Sequence, residues 1–303
     1  MTNASLIDRM KLYESVSDNR IPAGIPYVIR LDGKGFSKHI KRWNCNKPFD
    51  VVFHNIMVKT AKKVLDEVSD GIMAWTGSDE ISIVCLEKDV FNPWYSKRIN
   101  KILSLSASIA TATFNLEAKQ VESENYFNVS ESPAYFDSRI IQFPSLCECF
   151  NSIVYRQRDC KRNSISGWAR HFYSTKQLQN KNSDEKIEML KEKGFNFWEQ
   201  APGWSIYGEV LFKANVIFNS EDPTIQYPVF DIAHVPSKFF PVQTGYAKFY
   251  IRKHIFGFQG EVSANMLDEL NFLNVSSDEL IYQDLEEEPN SQIWDKKDKF
   301  EKI

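Results

Sequence analysis

The sequence predicts an α+β fold, an antiparallel sheet carrying helices on one face. Four short β-rich runs stand at 27–31, 72–75, 81–84 and 135–143. A long stretch of helical period lies between the first and second runs, and another between the third and fourth. The resulting order of strand, helix, strand, strand, helix, strand is that of the split βαβ, or ferredoxin-like, unit.

Taken in order, Leu6 to Glu14 has the spacing of a short amphipathic helix, and Asn19 to Pro26 reads as a turn-rich lead-in. The run Tyr27-Val28-Ile29-Arg30-Leu31 stops at Asp32-Gly33-Lys34-Gly35. Asp50 caps the next element, in which Phe53, Ile56, Met57, Ala61, Val64 and Val68 recur at helical spacing. Ile72 to Trp75 and Ile81 to Val84 flank Thr76-Gly77-Ser78-Asp79-Glu80, a hairpin tip. A helix over roughly 96–117 follows, then a polar linker around 122–133 and a strand from Tyr135 to Phe143. Cys147 to about Leu178 and Asp184 to Lys193 read as helical, and Glu209 to Phe218 and Gln226 to Phe230 as strands. The chain thus divides into residues 1–143, a helical or mixed region 144–240 packed on them, and an acidic C-terminal extension 241–303.

The 303 residues are 43% hydrophobic and 25% charged, enough for a substantial core. A formal net charge of -3 argues against a polycation that coats nucleic acid through bulk charge. The distribution is uneven: residues 254–303 hold twelve acids and four bases, a net of -8, which leaves +5 over 1–253. Five cysteines (45, 85, 147, 149 and 160) without CxxC spacing read as buried thiols in a reducing compartment. Asp8 and Arg9 stand where a signal peptide needs an apolar run, and the run from Ile102 to Leu116 is too short and polar to span a bilayer. These features predict a soluble, cytoplasmic protein with no membrane partner. Histidines 39, 54, 171, 234 and 254 show no metal-ligand spacing, and GxSxG, Walker and HExxH motifs are absent from the sequence.

Three constellations carry chemistry. Asp32 ends the first strand and Asp79 sits at the hairpin between the second and third. In a split βαβ sheet the first and third strands are central neighbours, so the two carboxylates lie side by side. Paired hard oxygen ligands suit Mg²⁺, and two such ions about 4 Å apart can activate a hydroxyl and stabilise a leaving oxygen. Glu80 is the additional carboxylate. The alternative is a plain Asp-Gly turn and a polar hairpin tip, and spacing alone leaves both open. The turn Asp32-Gly33-Lys34-Gly35-Phe36-Ser37 adds glycines that admit a close ligand and amides that can form an anion nest, with Lys34, Lys38 and Lys47 near in sequence. Finally, Arg156 to Lys181 holds seven bases (Arg156, Arg158, Lys161, Arg162, Arg170, Lys176, Lys181) and one acid, Asp159. On a helix Asp159, Arg162, Asn163, Ser166 and Arg170 share a side. A one-sided basic face fits phosphate or RNA backbone, while Trp168, Phe172 and Tyr173 serve core packing or base stacking.

The stretches VIRLDGKGFSKH (28–39), NKPFD (46–50), SDEISIV (78–84), FDSR (136–139), RQRDCKRNSIS (156–166) and STKQL (174–178) together resemble the tRNA-His guanylyltransferase superfamily, most nearly its guanylyltransferase-like branch. The resemblance spans about residues 1–235. It implies a polymerase-palm-like sheet that extends the 5′ end of a tRNA, with the end first 5′-adenylylated by ATP and then attacked by the 3′-hydroxyl of a nucleoside triphosphate, releasing AMP. It also implies two Mg²⁺ held by Asp32, the Gly33 carbonyl and Asp79, to which the residue pattern adds Glu80 as a further catalytic carboxylate. By the same resemblance, ATP and GTP or other triphosphates bind along Gly33, Lys34, Gly35, Phe36, Ser37, Lys47 and Ser78. The RNA end falls to Arg156, Arg158, Asp159, Lys161, Arg162, Asn163 and Lys176, and a homotetramer is implied.

Three positions depart from the family pattern. Ser37 stands where the family usually has His, and Gly77 replaces a larger residue, often Gln. Lys161 stands where the eukaryotic guanylyltransferases have a His tied to tRNA-His recognition, which favours 5′-end repair over obligate addition of G at the -1 position. A nucleotide cyclase would share the sheet and carboxylates but has no use for the basic helix. An RNA-binding module with an inactive palm has no use for Asp32, Asp79 and Glu80 together.

Overall fold

The computed structural model of the chain describes residues 5–87, 90–122, 132–217 and 228–235, with side chains up to Leu211. Most of the polar linker expected at 122–133 and the whole of the acidic extension 241–303 lie outside the described residues.

Residue alternation builds the first strand. In β1 (Tyr27–Gly33), Tyr27, Ile29 and Leu31 enter the main core, which leaves Val28, Arg30 and Asp32 on the opposite face. Leu6–Ser15 forms α1, and the turn after β1 leads into α2 (Phe36–Arg42), a short helix that periodicity does not reveal. Asp50 caps α3 (Val51–Glu67) as expected, its carboxylate accepting from the amides of Phe53 at 2.9 Å and Asn46 at 2.7 Å. Strands β2 (Gly71–Gly77) and β3 (Glu80–Cys85) form the hairpin; α4 (Ile99–Glu122) and β4 (Phe136–Gln142) complete the unit. The strands pair antiparallel in the order β4-β1-β3-β2, as the split βαβ pattern requires.

Two findings go beyond expectation. The sequence predicts the helices of the split βαβ unit on one face of the sheet and packs the helical region 144–240 on that unit without assigning it a face. Here α3 and α4 pack on the face of Ile29 and Leu31, but the long α5 (Leu146–Phe172) lies against the other face. Continuous burial explains it, because all seven residues of β2 are buried, as a strand covered on both sides must be. The sheet is also longer. Beyond α6 (Thr175–Leu178), α7 (Ser183–Glu192), α8 (Phe197–Gln200) and α9 (Gly203–Tyr207), strand β5 (Glu209–Ile217) pairs with β2 and β6 (Pro228–Val235) with β5. Six strands are thereby joined among the described residues. Helices α5, α7, α8 and α9 share a small second core of Ile165, Leu190, Phe197, Ala201 and Ile206.

The helix expected from residue 96 begins at Ile99 instead. Tyr95, Ser96 and Lys97 are left-handed, with φ of 47°, 52° and 58°. That turn is anchored from inside, where Lys97 ion-pairs with Glu87 and donates to the Pro22 carbonyl at 3.1 Å, and the Trp94 amide donates to Asp70 Oδ2 at 3.1 Å. Among the described residues no helix is long and apolar enough to cross a membrane.

Candidate active site at the hairpin tip

The turn after β1 is shaped by one ring. A Cβ on Gly33 would stand 2.4 Å from the Phe36 ring, so only glycine lets that ring close beneath the strand end. Phe36 is 1% exposed and meets Trp43, Phe53, Phe114 and Phe136 with centroids 5.1–6.2 Å apart. The ring belongs to the core, so of the Phe36 group only backbone can face a ligand. Gly35 takes φ 69° to start α2, and Lys34, Gly35 and Ser37 are exposed around it.

The structure brings Asp32, Gly33, Ser78, Asp79 and Glu80 together. The Gly33 amide donates to the Asp79 carbonyl at 3.0 Å, locking the end of β1 to the hairpin tip. Asp32 is the register partner of Glu80 on β3 and of Asp137 on β4. At the tip Ser78 is left-handed (φ 55°), and its hydroxyl donates to Asp79 Oδ1 at 3.1 Å. Burial pushes the Asp79 carboxyl above its ordinary value. The carboxylates of Asp32 and Glu80 add to that rise, against lowering hydrogen bonds from its own amide and Ser78.

Among the described residues no group of three His, Cys, Asp or Glu side chains converges as a metal cage. The pair Asp32 and Asp79 is a different arrangement. Burial and the neighbouring carboxylates oppose the Asp79 charge, and the hard oxygens of the pair match an ion that keeps several waters, such as Mg²⁺.

Glu80 is engaged otherwise. Arg156 of α5 forks onto it, Nε to Oε2 at 2.9 Å and Nη2 to Oε1 at 2.6 Å, and Arg30 Nη2 donates to Oε1 at 2.9 Å. Arg156 Nη1 also reaches Asp159 Oδ2 at 2.8 Å, and Asp159 pairs with Arg162. Burial opposes the Asp159 charge, yet Arg162 and Arg156 hold its carboxyl below the usual value. Arg158 and Arg162 are exposed, Asn163 and Lys176 likewise, whereas the Lys161 ammonium lies over the Trp198 ring at 4.8 Å. Lys47 is exposed just before the cis peptide to Pro48.

Between the hairpin, the 45–54 segment, α5 and α9 opens a cavity of about 840 Å³ including its mouth. Phe49, His54, Trp75 and Trp204 supply aromatic walls, and Glu80 and Asn163 polar ones. His54 stacks on Trp204 at 4.2 Å and faces Glu209 at 3.4 Å. The sequence did not single out His54, Trp204 or Glu209, since a helix face, a short helix and a strand start carry no joint signal. Arg30, Asp137 and Arg139 also adjoin the site, with Arg139 3.1 Å from Asp137 and 4.0 Å from Asp32. Strand alternation could have found them, because residues two apart share a face.

Comparison with known proteins shows what the chain is similar to. Residues 7–144 match the sequence profile of the family described as tRNAHis guanylyltransferase. The mouse protein named probable tRNA(His) guanylyltransferase is 30% identical over 140 residues, 46% of this chain and 44% of that protein. The chain thus spans less than half the length of that relative. A bacterial tRNA(His) guanylyltransferase-like protein, solved in complex with ATP, superposes with a TM-score of 0.64 at 26% identity, over 84% of this chain and all of the other. Another such structure, in complex with GTP, gives 0.59 at 28% identity over 76% of this chain and 91% of the other.

Proposed function

We propose that this chain is a member of the tRNA-His guanylyltransferase superfamily and a 3′-to-5′ nucleotidyltransferase that extends the 5′ end of a tRNA. The observation that carries the reading is the meeting of Asp32, Gly33 and Asp79 at one end of a sheet, beside an open aromatic cavity and under a basic helix. Asp32, the Gly33 carbonyl and Asp79 would hold two Mg²⁺, which when bound neutralise phosphate charge and sharpen a nucleophilic oxygen. The chain's own residues provide alignment. The backbone from Gly33 to Ser37, with Ser78 and Lys47, presents donors and charge to a triphosphate, and the cavity takes up a nucleobase between aromatic walls. Arg162, Arg158, Asn163 and Lys176 offer exposed contacts to the RNA end.

The chemistry runs in two displacements. A 5′-phosphate oxygen of the RNA attacks the α-phosphorus of ATP and pyrophosphate leaves. The 3′-hydroxyl oxygen of an incoming triphosphate then attacks the RNA 5′-phosphorus, its proton is lost, and AMP leaves. Lys161 in place of the family's tRNA-His-linked His supports 5′-end repair as the physiological task. Assembly is proposed as a homotetramer, measurable by light scattering.

The test supplies Mg²⁺, ATP, all four nucleoside triphosphates and a 5′-truncated, 5′-monophosphorylated tRNA. Nucleotide addition with a transient 5′-adenylylated RNA is expected, and Asp79→Ala should lower the rate at least 1,000-fold while the fold is kept. Tight tRNA binding with neither product would refute the enzyme reading.

A further inference from the structure

Glu80 occupies a junction. It follows Asp79 directly, and its register partners are Asp32 on β1 and Gly77 on β2. Both of its oxygens already accept from guanidinium groups, Oε1 from Arg30 and Arg156 and Oε2 from Arg156, and its side chain is only 16% exposed. A cation approaching those oxygens would have to displace two guanidiniums of like charge. Glu80 therefore fits a counter-ion at the root of the hairpin better than a metal ligand.

The pairing does not stop there. Arg30, Glu80, Arg156, Asp159 and Arg162 form a chain of alternating charge, with side-chain exposures of 20%, 16%, 15%, 23% and 64%. It runs from the sheet beneath the carboxylate pair to the open surface of α5. Along it, Arg156 is the single residue that touches both the hairpin and the helix face next to Arg162.

We infer that Arg156 is a positioning residue, whose fork on Glu80 sets the hairpin tip carrying Asp79 and couples RNA-end engagement on α5 to nucleotide binding at the tip. An RNA phosphate drawn to Arg162 competes with Asp159 for that guanidinium. Asp159 then leans more fully on Arg156, and the change reaches Glu80. Coupling of this kind is reciprocal, so bound Mg²⁺ and triphosphate change RNA affinity by the same factor by which RNA changes theirs. The inference rests on the nucleotidyltransferase reading and adds to it an assignment for Arg156 and Glu80.

The experiment titrates Mg²⁺ into protein with a non-hydrolysable ATP analogue, without RNA, and follows binding calorimetrically. Melting curves are taken alongside. Arg156→Gln and Glu80→Gln should raise the Mg²⁺ half-saturation concentration 10-fold or more at temperatures where each variant is folded. Arg156→Lys, which keeps the charge and loses the fork, should recover part of that shift. Arg162→Gln should leave the Mg²⁺ half-saturation at the wild-type value, raise the KM for tRNA several-fold, and abolish the coupling between RNA and Mg²⁺ binding. A contact that merely held the fold together would lower the melting temperature and the active fraction without moving the half-saturation. If Arg156→Gln does not fold, Arg156→Lys and Glu80→Gln are read by the same criterion. Wild-type Mg²⁺ dependence in the folded variants overturns the inference while wild-type nucleotide addition stands. Absence of addition by the wild type is instead the failure of the enzyme reading.

Discussion

The closing of Phe36 beneath Gly33 gives a quantitative test of how the turn after β1 is built. Gly33 is not left-handed, so alanine is free of backbone strain there and the objection to it is purely steric. The added Cβ would stand 2.4, 2.6 and 2.8 Å from three atoms of the Phe36 ring. The ring cannot retreat, since Trp43, Phe53, Phe114 and Phe136 surround it. Overpacking of a filled site costs about 1–3 kcal/mol, and the surrounding rings put Gly33→Ala at the upper end, about 2–3 kcal/mol. Phe36→Leu removes the flat ring and leaves a shorter chain that can turn aside, at a cost of about 1–3 kcal/mol for the lost contacts. In the Phe36→Leu background, Gly33→Ala should then cost less than about 0.5 kcal/mol, an interaction energy of about 1.5–2.5 kcal/mol in the double-mutant cycle. Urea denaturation of the four proteins at one temperature measures it. Additivity within about 0.5 kcal/mol would refute the steric argument, because the glycine would then answer to something other than the ring.

Three further outcomes follow from the same structure. Asp79, held above its ordinary value chiefly by burial, contributes stability below its unfolded-state pKa and loses it as pH rises through the folded value; Asp79→Asn should therefore melt higher than wild type at pH 8 without ligand, with the advantage shrinking toward pH 4, and an equal or lower melting temperature at pH 8 contradicts this. Lys97→Met strands Glu87, whose side chain is 3% exposed, and should cost about 3–5 kcal/mol in denaturant unfolding, with Glu87→Gln added in the same chain restoring part of it. At Gly77 a Cβ would meet the Trp75 indole at 2.6 and 2.8 Å, so Gly77→Gln should cost about 1–3 kcal/mol and disturb the Trp75 Nε1 to Tyr207 carbonyl bond, which is 2.9 Å long and whose loss a tryptophan fluorescence shift would report.

Much of this was legible in the residues. The strand order, the Asp50 cap, the hairpin tip and the approach of Asp32 to Asp79 all rest on local pattern, and local pattern survives folding. What the pattern missed depended on distant partners. The second covered face of the sheet needed α5, whose apolar side reads as ordinary amphipathic helix until β2 is known to be buried throughout. Glu80 and Arg156 are 76 residues apart, so no spacing rule pairs them. The start of α4 differs because Tyr95 to Lys97 adopt left-handed backbone held by Glu87, Pro22 and Asp70, none of which belongs to that turn. His54 and Trp204 became walls of one cavity, with Glu209 behind His54, only through three-dimensional packing.

The pairing of β5 with β2 bears on how the chain reaches its native state. Thr76 pairs with Glu209, a closure across more than 130 residues, while β1 to β4 can assemble among themselves first. Such distant pairing is slow to form. Until residues 209–217 have emerged and docked, β2 presents an open row of amides and carbonyls along its outer edge, next to the apolar Met73 and Trp75. An edge in that condition invites pairing with another chain. The last strands of the sheet therefore act during synthesis as a cover for the β2–β3 hairpin, and a chain stopped before Glu209 would be prone to aggregate even with Asp32, Asp79 and Glu80 in place.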